Sequence, residues 1–149
     1  MTLVLALMGF PQADAAPVPI ASVTAKSSYS VSGTTFPATN VKDKKSKPWY
    51  EGDPGNGIGS WIEVDLGGSK NVTKLGLFAG DWTSKDTWSR GNRPKEVEVK
   101  WTDGTTDVWT LEDTLKMQVS TPSSPKSTAT IRIKVNAIHS GTTFPDTAI

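Results

Sequence analysis

The sequence predicts an all-β fold, an antiparallel β-sandwich, and three features carry that reading. Short runs alternate apolar and polar residues, turn residues separate the runs, and no stretch after residue 20 sustains a helical period. With 13 Gly and 10 Pro in 149 residues, plus many Ser and Thr, the chain is rich in turn formers rather than helix formers.

Taken in order, the first clear strand is Trp61-Ile62-Glu63-Val64-Asp65-Leu66. Ile62, Val64 and Leu66 share one face and Glu63 and Asp65 the other. Val72 to Ala79 carries fewer charges and reads as a more buried strand. Glu96 to Trp101 alternates cleanly, Asp103-Gly104 supplies a tight turn, and Asp107 to Leu111 completes a hairpin. The last strand is Ala129 to Val135, with Ile131, Ile133 and Val135 inward. Such a length suits one domain with one core.

Composition excludes several functions. A net charge of +1 gives no basic face for nucleic acid, and the Lys-rich run from Lys42 to Lys47 is broken by Asp43 and ends at Pro48, so it reads as a solvated loop. The absence of cysteine removes disulfides, thiolate nucleophiles and cysteine metal sites, and leans towards a microbial source. The lone histidine, His139, cannot build a multi-histidine zinc site. It reads as a solvent-facing residue at a strand end rather than a triad base. Glu51 with Asp53 and Glu112 with Asp113 are paired acids without any sign of a cleft. Gly52 to Gly59 lacks the Gly-Lys-Ser/Thr ending of a phosphate loop and precedes a strand, so its glycines serve tight folding. The enzyme reading is therefore rejected.

Leu3 to Phe10 is an apolar run too short for a transmembrane span. With the Ala13-Asp14-Ala15 pattern after it, residues 1–15 read as a clipped export signal, hence a secreted, extracellular protein. A core strand is the alternative. Residues 16–149 then form the domain.

Two long connections, residues 27–60 and 80–95, hold Trp49, Trp82 and Trp88 and lead to Trp61; loops this long usually carry function. Trp61 and Trp101 lie in strand patterns and read as sandwich packing. Trp82 and Trp88 sit in the polar stretch "GDWTSKDTWSRGNRP", where an apolar ring needs a cover, either the domain itself or a ligand. Rings stack on sugar faces while polar side chains bind hydroxyls, so Arg90, Asn92 and Arg93 are candidate donors beside them. Arg93 could equally pair with Glu51. Trp49 and Tyr50 form a second aromatic pair at an expected exposed loop tip, with Glu51 beside them.

The segments "TTFPATNVKD", "WYEGDPGNGIGSWIEVDLG", "NRPKEVEVKWTDGT" and "IHSGTTFPDTAI" resemble the discoidin-related (coagulation-factor type C) domain that accompanies secreted bacterial NAD glycohydrolases. The similarity runs from about Ala21 to Ile149. The spacing of Trp49, Glu51 and Gly52 with Gly57, Gly59, Trp61 and Ile62 is its most specific part, and Asn92 to Lys95 adds to it. The resemblance implies a galactose-binding-like jelly roll, a non-catalytic role and attachment to a glycan or cell surface. Its alternative implication is docking to, or translocation of, a partner catalytic domain. It covers no catalytic domain, so it implies no NAD cleavage. Relatives continue past "DTAI" with a closing apolar strand, so the domain is expected to lack its final strand.

One motif occurs twice: "SGTTFP" at Ser32 to Pro37 and at Ser140 to Pro145, near opposite ends of the chain and with unlike flanks. Unlike flanks argue against a duplicated domain. Coincidence is one explanation. The resemblance offers another, because first and last strands of such a jelly roll lie close together. The hexapeptides would then be neighbouring Gly-containing turns plugged by Phe36 and Phe144. It also implies a structural calcium between an early loop and the C-terminal segment, with Asn40, Asp43 and Asp146 at matching places and backbone carbonyls supplying further oxygens.

Overall fold

The computed structural model describes residues 16–42 and 47–149. The export segment predicted over residues 1–15, and Asp43, lie outside the described residues. The main sheet has five antiparallel strands in the order β1 (Ser22–Ala25), β4 (Trp61–Val72), β9 (Lys126–His139), β6 (Arg93–Trp101), β7 (Thr106–Thr110). A hairpin of β2 (Ser30–Val31) and β3 (Thr34–Thr35) precedes a 3-10 helix at Ala38–Lys42, and β5 (Leu75–Phe78) pairs with β8 (Met117–Ser120). This is the expected jelly-roll sandwich.

Alternation builds the core as predicted. Ile62, Val64 and Leu66 on β4 are buried together with Val97 and Val99 on β6, and Ile131, Ile133 and Val135 on β9. Leu75 and Leu77 of the smaller sheet join the same cluster. The expected strand from Val72 to Ala79 is divided: Val72 ends β4, and β5 covers only Leu75–Phe78. β4 runs past Leu66 because Gly67 and Gly68, both at positive φ, let it bulge between Asp65 and Lys70 and pair again with β9. Trp101 is buried as packing requires, with its indole N–H donating to Asp107 at 2.7 Å. Trp61 departs from the expected interior packing. It sits out of register with Ile62, on the outer face of the sheet, half-covered by the Arg132 guanidinium 4.1 Å from its ring.

One helix was not expected. α1 (Lys85–Arg90) is a turn and a half inside the polar tryptophan loop. Ser84 caps it: its hydroxyl accepts from the Thr87 N–H at 3.0 Å, while Thr87 accepts from the Ser84 N–H at 2.9 Å. Asp86 in the first turn and Arg90 in the last suit the helix dipole and pair with each other at 3.3 Å.

Candidate functional site

The two copies of "SGTTFP" meet at one end of the sandwich, and they are folded differently. In the first, Ser32 and Gly33 both take positive φ, 49° and 77°, and close the β2–β3 hairpin as a two-residue turn. The second wraps the end of α1. Thr142 N–H donates to the Ser89 carbonyl, and the N–H groups of Thr143 and Phe144 both donate to Arg90, satisfying the last carbonyls of the helix. Gly141 is required there for closeness: a Cβ on it would run into the backbone of Arg90 and Gly91.

Their phenylalanines wall one cavity of about 290 Å³, together with Tyr29, Val31 and Tyr50 and the carboxylates Asp81 and Asp146. Three of the rings are locked through their own backbones. Tyr29 N–H donates to Tyr50, Phe36 N–H to Tyr29, and Tyr50 N–H to Phe36. Phe36 meets Tyr50 edge-on at 5.1 Å and stacks with Tyr29 at 6.4 Å. Phe144 remains 39% exposed and carries Arg90 over its face at 4.6 Å.

The polar end of the cavity is acidic. Asp81 is buried, accepting from the Tyr50 hydroxyl and from the Thr83 N–H, each at 2.8 Å. Burial, reinforced by this bond and by the nearby Asp81 and Asp146 charges, pushes the Tyr50 hydroxyl far above its ordinary range, so it stays a donor. Desolvation alone raises the Asp146 carboxyl, and among the described residues its side chain has no hydrogen-bond or ion-pair partner.

The residues expected to bind ligand fare unequally. Tyr50 is in the cavity wall, but Trp49 is completely buried, its indole N–H donating to Ser27 at 2.9 Å; the pair is no exposed tip. The cause is the C-terminal segment, since Trp49 and Ile149 exchange two backbone hydrogen bonds at 3.0 Å and lie in one core. Glu51 is also fully buried and ties the first long loop to that segment, accepting from the N–H groups of Asp53 and Thr147. Burial raises its carboxyl and those bonds oppose the rise.

Arg93 pairs with Asp113 rather than Glu51. It forms a two-pronged bond at 2.7 and 3.0 Å, donates also to the carbonyls of Trp88 and Gly91, and lies over the Trp88 ring at 4.4 Å. It is 5% exposed and has nothing left for a ligand. Trp88 is covered by the domain itself, with its indole N–H on the Ala79 carbonyl. Trp82 is half-buried edge-on against Phe78 at 4.1 Å. Asn92 is buried and staples the second hexapeptide, its side-chain nitrogen donating to Pro145 and its oxygen accepting from Gly141 N–H. Of the expected donors only Arg90 stands at the cavity, through Phe144. His139 is half-buried, one ring nitrogen 3.0 Å from the Leu111 carbonyl, rather than facing solvent.

Sequence reasoning passed over Tyr29, Val31 and Asp81 as site residues and read Phe36 and Phe144 as packing plugs. The repeated hexapeptide was the signal that pointed to them. For calcium, Asn40 gives its side-chain nitrogen to the Pro48 carbonyl and Asp146 faces the aromatic cavity. Among the described residues no three His, Asp or Glu side chains gather as a metal site.

Residues 17–149 match the family described as the NAD glycohydrolase translocation F5/8 type C domain. The chain belongs to that family. No curated protein sequence matches it significantly. Among solved structures it resembles the family 32 carbohydrate-binding module of Clostridium perfringens NanJ, solved with galactose, at 18% identity and a TM-score of 0.64. That match covers 89% of this chain and 97% of the other. A C. perfringens family 32 module in complex with GalNAc-β-1,3-galactose matches at 14% identity and a TM-score of 0.59, covering 86% and 94%. Chitosan-binding module 1 of a Paenibacillus sp. IK-5 chitosanase/glucanase matches at 18% and 0.55, covering 99% and 93%. These likenesses establish the discoidin-like jelly roll. The family description is that of a translocation domain, not of a catalytic one.

Proposed function

We propose that the domain attaches to carbohydrate on a cell surface, and that one sugar unit sits in the cavity between Phe36 and Phe144. The observation that carries this is the cavity itself: aromatic walls for the apolar face of a sugar, and carboxylates beside them for its hydroxyls. Its volume of about 290 Å³ lies at the lower end of small-ligand pockets, roughly 300–1,000 Å³. The sugars bound by the structural neighbours support the reading by analogy of fold. Calorimetry with a panel of oligosaccharides tests it. Phe144→Ala should abolish binding with little change in melting temperature, since Phe144 is a large exposed apolar side chain. Binding that survives this change would remove the cavity from the account.

The family description favours a second reading, in which the domain docks to or assists translocation of a partner catalytic domain. Co-purification with such a partner, in the absence of any glycan binding, would select it. Secretion belongs to the first reading and rests on Leu3 to Phe10 and the Ala13-Asp14-Ala15 pattern. A mature protein in the medium that begins at Ala16 would support it. Calcium at Asn40, Asp43 and Asp146 is also a proposal. The described pair offers one carboxylate and one amide, short of the six to eight oxygens calcium takes. A melting temperature indifferent to both calcium and chelator would end it.

A further inference from the structure

The cavity's polar lining has one character: it accepts and carries negative charge. Asp81 accepts the Tyr50 hydroxyl on one oxygen and the Thr83 N–H on the other, and each carboxylate oxygen has a second lone pair to offer. Asp146 stands free on the same wall, with no protein partner among the described residues. Among the described residues the cation at the rim is Arg90, which is held on Phe144 and paired with Asp86, so it answers neither aspartate. The aromatic lining points the same way, because ring faces attract cations, as Phe144 already does with Arg90. A neutral sugar would bring hydroxyl donors but no positive charge to set beside the two aspartates.

We infer that the cavity takes a sugar bearing a free ammonium group, a glucosamine-type unit, with the ammonium between Asp146 and Asp81 and the ring face on Phe144. This rests on the cavity being the sugar site. Substrate choice then follows from charge: N-acetylation of the amine removes the cation and adds bulk where the carboxylates sit.

Calorimetry on the full 149-residue chain, in buffer free of divalent cations, compares a glucosamine tetramer with its fully N-acetylated counterpart and with galactose. The expected result is at least about a tenfold preference for the free amine, about 1.4 kcal/mol. That preference should weaken with added salt and be lost in Asp146→Asn. The unmodified chain decides the matter even if Asp146→Asn fails to fold, through the amine comparison and its salt dependence. Equal or tighter binding of the N-acetylated tetramer or of galactose, lost in Phe144→Ala, would overturn the ammonium while leaving the sugar site standing. Binding of none of the three would overturn this inference, and retention of glucosamine binding in Phe144→Ala would overturn the cavity reading as well.

Discussion

Phe36 and Phe144 occupy the same position in two identical hexapeptides and wall the same cavity, yet the backbones that deliver them differ. Each glycine is therefore needed for its own reason. Gly33 takes φ of 77° and a Cβ there would meet nothing within 4 Å. Gly33→Ala should cost about 1 kcal/mol, and Gly33→Asn less, because Asn tolerates the left-handed region. A Cβ on Gly141 collides with backbone, so Gly141→Ala and Gly141→Asn should be equally damaging and should displace Phe144. Thermal unfolding of the four variants checks this; a rescue of position 141 by Asn would sink it.

Trp49→Ala is expected to cost about 3–5 kcal/mol, as for other large core truncations, because the ring is wholly buried and its N–H bonds Ser27. Trp49→Phe should cost less but still lose the hydrogen bond. In either variant that remains folded, ligand affinity should stay near the original, since Trp49 does not reach the cavity. Denaturant unfolding alongside calorimetry separates the two effects.

The strands were legible because each is half-buried, and half-burial writes alternation directly into Ile62, Val64 and Leu66 or into Ile131, Ile133 and Val135. The fate of Trp49 was not legible. What buries it is an exchange of backbone bonds with Ile149, a hundred positions away, which no local pattern records. α1 was hidden by its shortness and by polar residues that suit a loop as well as a capped turn, though Ser84 and Gly91 mark its ends. The cavity draws on segments from Tyr29 to Asp146, so only the repeated hexapeptide hinted that they converge.

The Arg93–Asp113 pair should make stability sensitive to acid. The guanidinium beside Asp113 holds its carboxyl below the usual range. A depressed folded-state value means that the contribution is present above the unfolded carboxylate range and is lost as pH falls through the folded value. Melting temperature should therefore drop on acidification from about pH 4, and less steeply in Asp113→Asn. Arg93→Ala should cost roughly 2 kcal/mol, below the 3–5 of a fully buried pair, because the Asp113 side chain is 43% exposed. Arg93→Lys should recover little of this, as an ammonium cannot span Asp113 and the carbonyls of Trp88 and Gly91 together.

Asn92 separates holding the site from touching the ligand. Its side chain bonds Gly141 and Pro145, and its backbone bonds Asp146 and Ala148, so it fixes the loop that carries Phe144 and the free carboxylate of Asp146. Asn92→Asp keeps the oxygen that accepts from Gly141 but loses the donor to Pro145 and sets a new carboxylate against that carbonyl. Affinity for the sugar should fall about tenfold, about 1.4 kcal/mol. Phe144→Ala, by contrast, removes a ring without disturbing the loop. A positioning role predicts that hydrogen exchange at Thr142, Thr143 and Phe144 speeds up in Asn92→Asp but not in Phe144→Ala, because those N–H groups cap α1 only while the loop is stapled. Unchanged exchange together with lost binding would show that the loop does not depend on Asn92.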